Sequence, residues 1–452
     1  MIFIDRIAEM RYNREEYIDL ARGIMERNTK IYDTYVKILE TELVPAMGCT
    51  EPIAVAYCAA KAREVLGEMP TKVDILASGN IIKNVKSVIV PNSGGMRGLS
   101  AAAALGILYG DASRGLEVIS DVSAEQALAL RDEMARMEIT VSPLSQGHVL
   151  DLVVTVFSDK HIARVHIQDE HTNVVEIWRD GDTLLHKTAE QSQGDPTDAP
   201  DHSLLTIADI FAFANTVALD DVYPIIKRQI DCNTAIANEG LLGDYGARIG
   251  QILSKMEGGV RTRAKALAAA GSDARMSGCD MPVIINSGSG NQGMTASLPV
   301  IVYAEHYEKS EEELIRALVF SNLVTLHLKT GIGRLSAYCG AVSAGAGAGA
   351  GIAYLLTGDL RTANHTIVNA LAISSGIVCD GAKASCAAKI AMAVEAGIIG
   401  YEMFLEDCQF YDGDGLVSKG VEQTIKNISA LGSEGMRETD AKIIEIMTST
   451  HC

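Results

Sequence analysis

The hydrophobic pattern changes once along this 452-residue chain, and that change limits the folds open to it. Between residues 71 and 186, short segments alternate or run apolar over strand lengths. Beyond Leu204, apolar residues recur at helical spacing between Gly-rich turns. The predicted strands are Val73 to Ala77, Ser87 to Val90, Ile139 to Val141, Leu150 to Phe157, His161 to Ile167, Val174 to Trp178 and Thr183 to Leu185. We therefore predict an α+β fold whose N-terminal domain has a largely antiparallel sheet and whose C-terminal domain is all-α.

The polar, Pro-containing stretch from Lys187 to Ser203 marks the predicted boundary between these parts. We predict N-terminal helices in residues 1–70, an α+β domain in 71–190, a linker in 191–203 and a helical catalytic domain in 204–452. Aromatic residues make up only 5% of the chain and glycines number 41, which favours closely packed helices over a sandwich or barrel.

Charge and targeting signals limit the binding partners and the cell compartment expected for this chain. A net charge of −19 without a basic stripe argues against nucleic acid and anionic membrane surfaces. The N-terminus lacks a signal-peptide core, and nine cysteines without one predict a reducing cytoplasm. The apolar run from Cys339 to Leu356 is barely long enough to span a membrane, so we predict a buried helix there. A homodimer is a compatible assembly.

Two cysteines, Cys379 and Cys386, stand seven positions apart around an Asp-Gly turn signal. That turn lets Cys379 precede a helix starting near Ala382, with Cys386 in its first turns. Cys339 precedes another predicted helix and is the natural third member. Three thiolates without a fourth suit a [4Fe–4S] cluster with one open iron, although structural cysteines near helix starts are common.

Cys49 lies between two prolines and ahead of a predicted helix, a position that tends to lower a thiol pKa. An ordinary buried cysteine is the equal alternative. Glu51, His148 and Lys389 also attract notice, but nothing in the sequence separates them from scaffold.

Two Gly-rich loops are candidate binding sites. In the loop from Pro91 to Gly98, the backbone amides with Asn92, Ser93 and Arg97 could hold a carboxylate or phosphate. The loop from Asn286 to Gly293 formally matches a dinucleotide fingerprint. The match is weak, because Pro299 should interrupt the following helix and no βαβ units surround it. Ser287, Ser289 and Asn291 could instead hold a substrate's carboxylate and amine, or the loop could be a plain tight turn.

The segment Ser-Gly-Ile-Val-Cys-Asp-Gly-Ala-Lys-Ala-Ser-Cys-Ala-Ala-Lys, residues 375–389, resembles the cluster-binding signature of the iron–sulfur L-serine dehydratases (α chain). With Gly48-Cys49-Thr50-Glu51-Pro52, the chain is more similar to the L-cysteine desulfidase branch of that superfamily. The resemblance implies cluster ligation by Cys339, Cys379 and Cys386, and a catalytic or cluster-proximal role for Cys49. One departure concerns the substrate: the dehydratases' common Pro-Thr-x-Gly-Ala-Ala-Gly loop is replaced here by Asn286 to Gly293.

The resulting hypothesis is β-elimination of L-cysteine, a small amino-acid substrate, to pyruvate, ammonia and sulfide without pyridoxal phosphate. Cys49 as a thiolate would remove the Cα proton, and Lys383 would pair with a carboxylate, unless it is simply a solvated lysine. Cys452 on a mobile tail could cap the open iron as a fourth ligand, as in some serine dehydratases, or be a stray terminal cysteine. The alternatives are L-serine dehydration and a non-catalytic metal-binding or small-molecule-binding protein.

Overall fold

The computed structural model describes residues 27, 29–144, 147–187 and 200–449, with side chains described up to residue 447. Its sixteen α-helices in these ranges are α1 Lys30–Glu42, α2 Thr50–Leu66, α3 Gly79–Val85, α4 Gly98–Tyr109, α5 Ala124–Met134, α6 Ile207–Thr216, α7 Leu219–Leu242, α8 Ile249–Ser254, α9 Gly259–Met276, α10 Gly290–His306, α11 Glu311–Thr330, α12 Gly340–Thr357, α13 Leu360–Ser374, α14 Cys386–Leu405, α15 Val421–Ala430 and α16 Arg437–Ser449. The strands are β1 Pro45–Met47, β2 Lys72–Ala77, β3 Glu138–Pro143, β4 Asp151–Phe157, β5 Ile162–Gln168, β6 Val174–Arg179, β7 Asp182–His186 and β8 Pro282–Ile284.

Six strands form the main sheet in the order β3-β2-β4-β5-β6-β7. Only β2 and β3 run parallel, so the predicted largely antiparallel sheet is confirmed. The last two predicted strands form a hairpin: Asp180 and Gly181, with φ values of 51° and 107°, make the two-residue turn between β6 and β7. The predicted strand from Ser87 to Val90 is wrong, because this segment makes only an isolated bridge between Ile89 and Arg97.

The alternation of apolar residues explains how the sheet is covered. Side chains such as Val73, Val154 and Val165 point to one face and are buried, and α2 packs across β4 and β5 on this side. Helix α4 in turn packs against α2. These elements share one hydrophobic core, which is separate from the core of the helical part.

The helical part is organised around α12, the Gly-Ala helix. Helices α10, α11, α13 and α14 all contact it. Its glycines allow this: a Cβ on Gly349 would lie 2.6 Å from the carbonyl oxygen of Gly397 in α14. Helix α12 is long and apolar enough to cross a membrane by length and composition, but 83% of it is buried inside the protein, as predicted for a core helix.

The two parts meet along several contacts. Strands β1 and β8 pair antiparallel, with Ala46 opposite Val283. Asp440 of α16 accepts hydrogen bonds from Lys83 Nζ at 2.6 Å and Asn80 Nδ2 at 2.9 Å, both on α3. Part of the predicted linker, residues 191–199, lies outside the described residues. The four-part division of the chain therefore stays a prediction.

Candidate active site

Cys339 and Cys379 are brought together by a short antiparallel contact. Tyr338 and Val378 form an isolated β-bridge, the Cys339 amide donates to Ile377 O at 3.1 Å, and the Cys379 amide donates to Ala337 O at 2.6 Å. Because side chains alternate along paired segments, the two cysteines are diagonal neighbours on one face, where such residues lie about 7–8 Å apart. Cys339 is also the N-cap of α12, as the sequence predicted.

Cys386 is the first residue of α14, so the helix begins four residues later than predicted. Residues 382–385 instead form a turn after Gly381, whose φ of 90° strongly favours glycine. A Cβ on Gly381 would lie 2.3 Å from the carbonyl oxygen of Lys83, so this loop rests directly on α3. The loop therefore places Cys386 where the two parts of the protein meet.

Two lysines hold the loop between Cys379 and Cys386. Both Lys383 and Lys389 form ion pairs with Oδ1 of Asp380, and Lys389 Nζ also donates to Val378 O at 2.8 Å. Lys383 Nζ donates further to the carbonyl oxygens of Asp380 and Gly381. These contacts hold the ammonium group of Lys383 within the loop. The catalytic role predicted for Lys383 stays a prediction. Lys389 acquires a positioning role that the sequence did not reveal.

Burial and neighbouring charges change the pKa values of two of the three thiols. Burial, followed by the neighbouring Cys379, raises the pKa of Cys339 to about 12, and burial also raises the pKa of Cys386. Lys329, which is 3% exposed, lies close enough to interact electrostatically with Cys339 and Cys379, while burial lowers its pKa to about 8. Partly buried thiols beside ammonium groups suit a site whose ligands are thiolates.

The donor set indicates which metal centre fits. Among the described residues, no three His, Cys, Asp or Glu side chains are spaced to hold one metal ion. Cys339 and Cys386 are nevertheless neighbours of Cys379, because Cys379 adds to burial in raising the pKa of both thiols. An iron–sulfur cluster is wider than a single ion and takes thiolate ligands, so this arrangement fits a cluster better than a lone ion.

Cys49 and Glu51 form a buried pair beside this group. Cys49 is the N-cap of α2, as predicted, and packs in a small apolar cluster that Cys386 also contacts. Its Sγ donates a hydrogen bond to Glu51 Oε2 at 3.0 Å. The predicted low pKa is wrong: burial, and then the Glu51 carboxylate, raise the pKa of Cys49 well above its usual range. The helix N-terminus does not compensate for the loss of water around the thiol.

Glu51 is the charged member of the pair. Its carboxylate accepts hydrogen bonds from Cys49 and Thr50 on Oε2 and from Asn84 Nδ2 on Oε1, the last at 2.9 Å. Burial acts to raise the pKa of Glu51, but the nearby His171, the hydrogen bond from Cys49 and the nearby Arg275 outweigh burial and lower it. The ionised carboxylate thus accepts a hydrogen bond from a thiol that carries its proton. This arrangement is suited to proton transfer.

The Gly-rich loop from Asn286 to Gly293 lies against this pair. Thr50 Oγ1 donates to Gly288 O at 2.9 Å, and a Cβ on Gly288 would lie 3.3 Å from His171 Cε1. Asn291 Oδ1, His171 Nε2 and Gln292 Oε1 have no hydrogen-bond partner among the described residues. A Cβ on Gly340 would lie 2.6 Å from Gln292 Cδ, so the loop also reaches the helix that begins after Cys339. The loop therefore links Cys49 to Cys339.

The loop does not have the dinucleotide-binding arrangement. The strand before it, β8, pairs only with β1 and antiparallel, which is not the parallel βαβ unit of such sites. The expected interruption at Pro299 is wrong, because α10 continues through that residue. Ser287 is buried with a φ of 48°, and Ser289 is the N-cap of α10 without a side-chain capping bond. The binding roles of Ser287, Ser289 and Asn291 stay predictions.

The second Gly-rich loop is closed on itself. Asn92 Nδ2 donates to Ile119 O, and the Ser93 hydroxyl donates to Val90 O at 2.6 Å. Arg97 is exposed at the start of α4. Pro91 presses on Gly48, next to Cys49, so this loop supports the site from outside, and the binding roles of Asn92, Ser93 and Arg97 stay predictions. His148 pairs with Asp169 at the surface.

Several residues at the site escaped the sequence reasoning. They are Arg275, His171, Asn84, Gln292, Lys329, and a buried amide chain in which Gln229 and Asn322 hydrogen-bond to each other and Asn286 Nδ2 donates to Asn322 Oδ1. Each lies far in sequence from the motif of residues 379–386, and a single buried polar residue has no local signature.

Comparison with known proteins identifies the family. Residues 113–445 match the model for the serine dehydratase alpha chain. The chain belongs to the serine dehydratase alpha chain family. This family indicates a lyase-type enzyme of the kind associated with iron–sulfur centres.

Similar full-length proteins also carry the label UPF0597. One, from Desulfitobacterium hafniense (strain Y51), is 54% identical over 424 residues, covering 94% of this chain and 98% of its own length. Another, from Finegoldia magna, is 47% identical over 414 residues, covering 91% of this chain and 99% of its own. Their names state no reaction or substrate.

Proposed function

We propose that this protein is a lyase that eliminates sulfide from L-cysteine, using a [4Fe–4S] cluster held by Cys339, Cys379 and Cys386 and no pyridoxal phosphate. The observation that carries this proposal is that those three partly buried thiols lie beside the Cys49–Glu51 pair. Thiols alone would suit a structural centre, and an acid–base pair alone would suit many enzymes. Their contact through Cys386 supports a centre at which a proton is moved.

When bound, the cluster supplies an iron with an open coordination position that acts as a Lewis acid toward the substrate. Holding it is the task of the loop between Cys379 and Cys386, which Asp380 and its two lysines brace. Lys329 and Lys389 add positive charge near the thiolates, which favours their ionised form.

The chain's own acid–base chemistry lies with Cys49 and Glu51. As the Cys49 sulfur takes the Cα proton of L-cysteine, it passes its own thiol proton to Glu51 along their 3.0 Å hydrogen bond, so Glu51 is the final base and no free thiolate forms beforehand. The Cβ–S bond breaks, sulfide leaves with its electron pair, and aminoacrylate remains. Water converts the aminoacrylate to pyruvate and ammonia, so one cysteine and one water give pyruvate, ammonia and hydrogen sulfide.

The second candidate reaction is the dehydration of L-serine to pyruvate and ammonia. The name of the matched family favours it, and the same acid–base pair would serve, with hydroxide leaving in place of sulfide. The loop from Asn286 to Gly293 would contact either substrate, since the two differ only in one atom.

The test is an assay on protein purified without oxygen. We would measure sulfide and pyruvate released from L-cysteine, and pyruvate from L-serine in parallel, without added pyridoxal phosphate. Sulfide and pyruvate in equal amounts support the desulfidase proposal, whereas pyruvate from serine alone supports the second candidate. Protein inert to both after anaerobic cluster reconstitution contradicts both reactions and supports a non-catalytic binding role.

A further inference from the structure

Arg275 is a buried cation that the site described so far does not use. It lies near the C-terminal end of α9 and is only 1% exposed. Its Nε and Nη2 have no hydrogen-bond partner, and it forms no ion pair, among the residues the structure describes. A buried guanidinium group without a counter-charge bound directly to it is costly, so its presence favours an anionic ligand.

The guanidinium group lies at the start of a long helix. A Cβ on Gly290, the first residue of the 17-residue α10, would be 2.5 Å from Arg275 Nε. Free amide groups and the helix dipole make this end attractive to anions. Two unpartnered nitrogens of Arg275 therefore lie beside the first residue of α10, in the Gly-rich loop from Asn286 to Gly293.

The carboxylate of Glu51 is the obvious internal anion for Arg275, but it already has hydrogen-bond partners. Glu51 lies close enough to interact electrostatically with Arg275, yet its two oxygens accept hydrogen bonds from Cys49, Thr50 and Asn84. The planar fork of an arginine matches a carboxylate in a two-bond pairing. A carboxylate that enters from outside would satisfy both the fork and the helix end.

The same loop also offers acceptors for a cation. Asn286 Oδ1, Asn291 Oδ1 and Gln292 Oε1 lack partners among the described residues. The orientation of the Asn286 amide is set, because its Nδ2 donates to Asn322 Oδ1 at 3.0 Å. Amide oxygens of this kind suit an ammonium group, which has three donors.

We propose that Arg275 and the first turn of α10 bind the α-carboxylate of the substrate, while the free amide oxygens of Asn286, Asn291 and Gln292 bind its α-ammonium group. This inference rests on the proposed function and assigns the residues that bind the two charged groups of its amino-acid substrate. Side-chain chemistry is then left to the cysteine-lined part of the site.

The test measures binding apart from turnover. Protein purified without oxygen is titrated calorimetrically with L-alanine, which has no leaving group, and with L-alaninamide, which keeps the ammonium group but lacks the negative charge. We expect the native protein to prefer L-alanine, and Arg275→Met to bind it about 100-fold more weakly and to lose that preference. Arg263→Met, on the exposed side of the same helix, is the matched control and should leave both affinities unchanged.

Stability separates binding from scaffolding. Because Nε and Nη2 of Arg275 make no hydrogen bond to the described residues, and Glu51 acts on it only at longer range, Arg275→Met should change the melting temperature little. Arg275→Lys keeps the charge but not the fork, and we expect an intermediate loss of L-alanine affinity. Unchanged preference for L-alanine over L-alaninamide in both variants would overturn the inference, as would absence of any such preference in the native protein.

Failure of the binding role assigned to Arg275 is distinguishable from failure of the proposed function. If the native protein releases no pyruvate from cysteine or serine but binds L-alanine through Arg275, the proposed reaction falls and the amino-acid site stands. If turnover is observed while Arg275→Met binds L-alanine normally, the reaction stands and the assignment of Arg275 falls.

Discussion

The substitution Glu51→Gln removes the charge from the acid–base pair while keeping the size of the side chain. In the native protein the carboxylate accepts hydrogen bonds from three donors, on Cys49, Thr50 and Asn84. A glutamine side chain has one oxygen and one NH₂ group, so at least one of these donors would face another donor. The thiol of Cys49 would also lose the group that receives its proton.

The expected size of the effect differs for activity and stability. A positioned general base contributes about 100- to 10,000-fold to rate, which corresponds to about 3–5 kcal/mol in the activation free energy. The free energy of unfolding should change much less, by under about 2 kcal/mol, because lost hydrogen bonds are offset by removal of a buried charge. A large loss of rate with a small loss of stability is therefore the expected result.

The assay compares initial rates of pyruvate formation, normalised to bound iron, with urea unfolding of the same preparations. Glu395→Gln is the control, since Glu395 is also a partly buried carboxylate in ion pairs, with Arg261 and Lys265, and lies further along α14 from Cys386. It should change stability without changing the rate per bound iron. A Glu51→Gln protein that retains iron and more than about a third of the native rate would refute the role assigned to Glu51.

Three further predictions concern the scaffold. Burial raises the pKa of Asp273 to about 6, so its ionised form destabilises the fold above that pH. Asp273→Asn should therefore raise the free energy of unfolding at pH 8 by up to about 3 kcal/mol. In urea titrations this gain should disappear near pH 4. Gly349→Ala should destabilise by about 1–3 kcal/mol through its contact with α14, whereas Gly376→Ala, with nothing within 4 Å, should stay within about 0.5 kcal/mol by the same measurement. Asp380→Ala should weaken cluster binding about 10- to 100-fold, seen as iron lost during gel filtration with chelator.

The fold was predictable because its signals are local. Strand alternation, the Asp180-Gly181 turn and the small residues of α12 each specify their own structure. The segment from Ser87 to Val90 has the pattern of a strand, but it pairs only through one bridge to Arg97. The absence of a longer pairing strand could not be predicted from the local pattern. Pro299 shows the reverse case, because packing around α10 tolerates a residue that usually ends a helix.

The candidate site was predictable only in part. The cysteine motif named the thiols, but the pKa of Cys49 depends on burial and on Glu51, which are consequences of tertiary packing. Arg275 and His171 come from distant elements and had no motif to mark them. Cys452, predicted as a fourth ligand, lies outside the described residues. Its role stays a prediction, as do the cytoplasmic location, the homodimer and the absence of nucleic-acid and membrane partners.

The most direct test of the account is the iron and acid-labile sulfide content of the protein isolated without oxygen. It would be measured with the absorbance near 400 nm, in the native protein and in Cys339→Ser, Cys379→Ser and Cys386→Ser, with Cys408→Ser, an exposed cysteine, as control. The account predicts about four irons and four sulfides per chain in the native protein and the control, and loss of both in each of the other three variants. Native protein without iron after anaerobic reconstitution, or full clusters in all three variants, would contradict it.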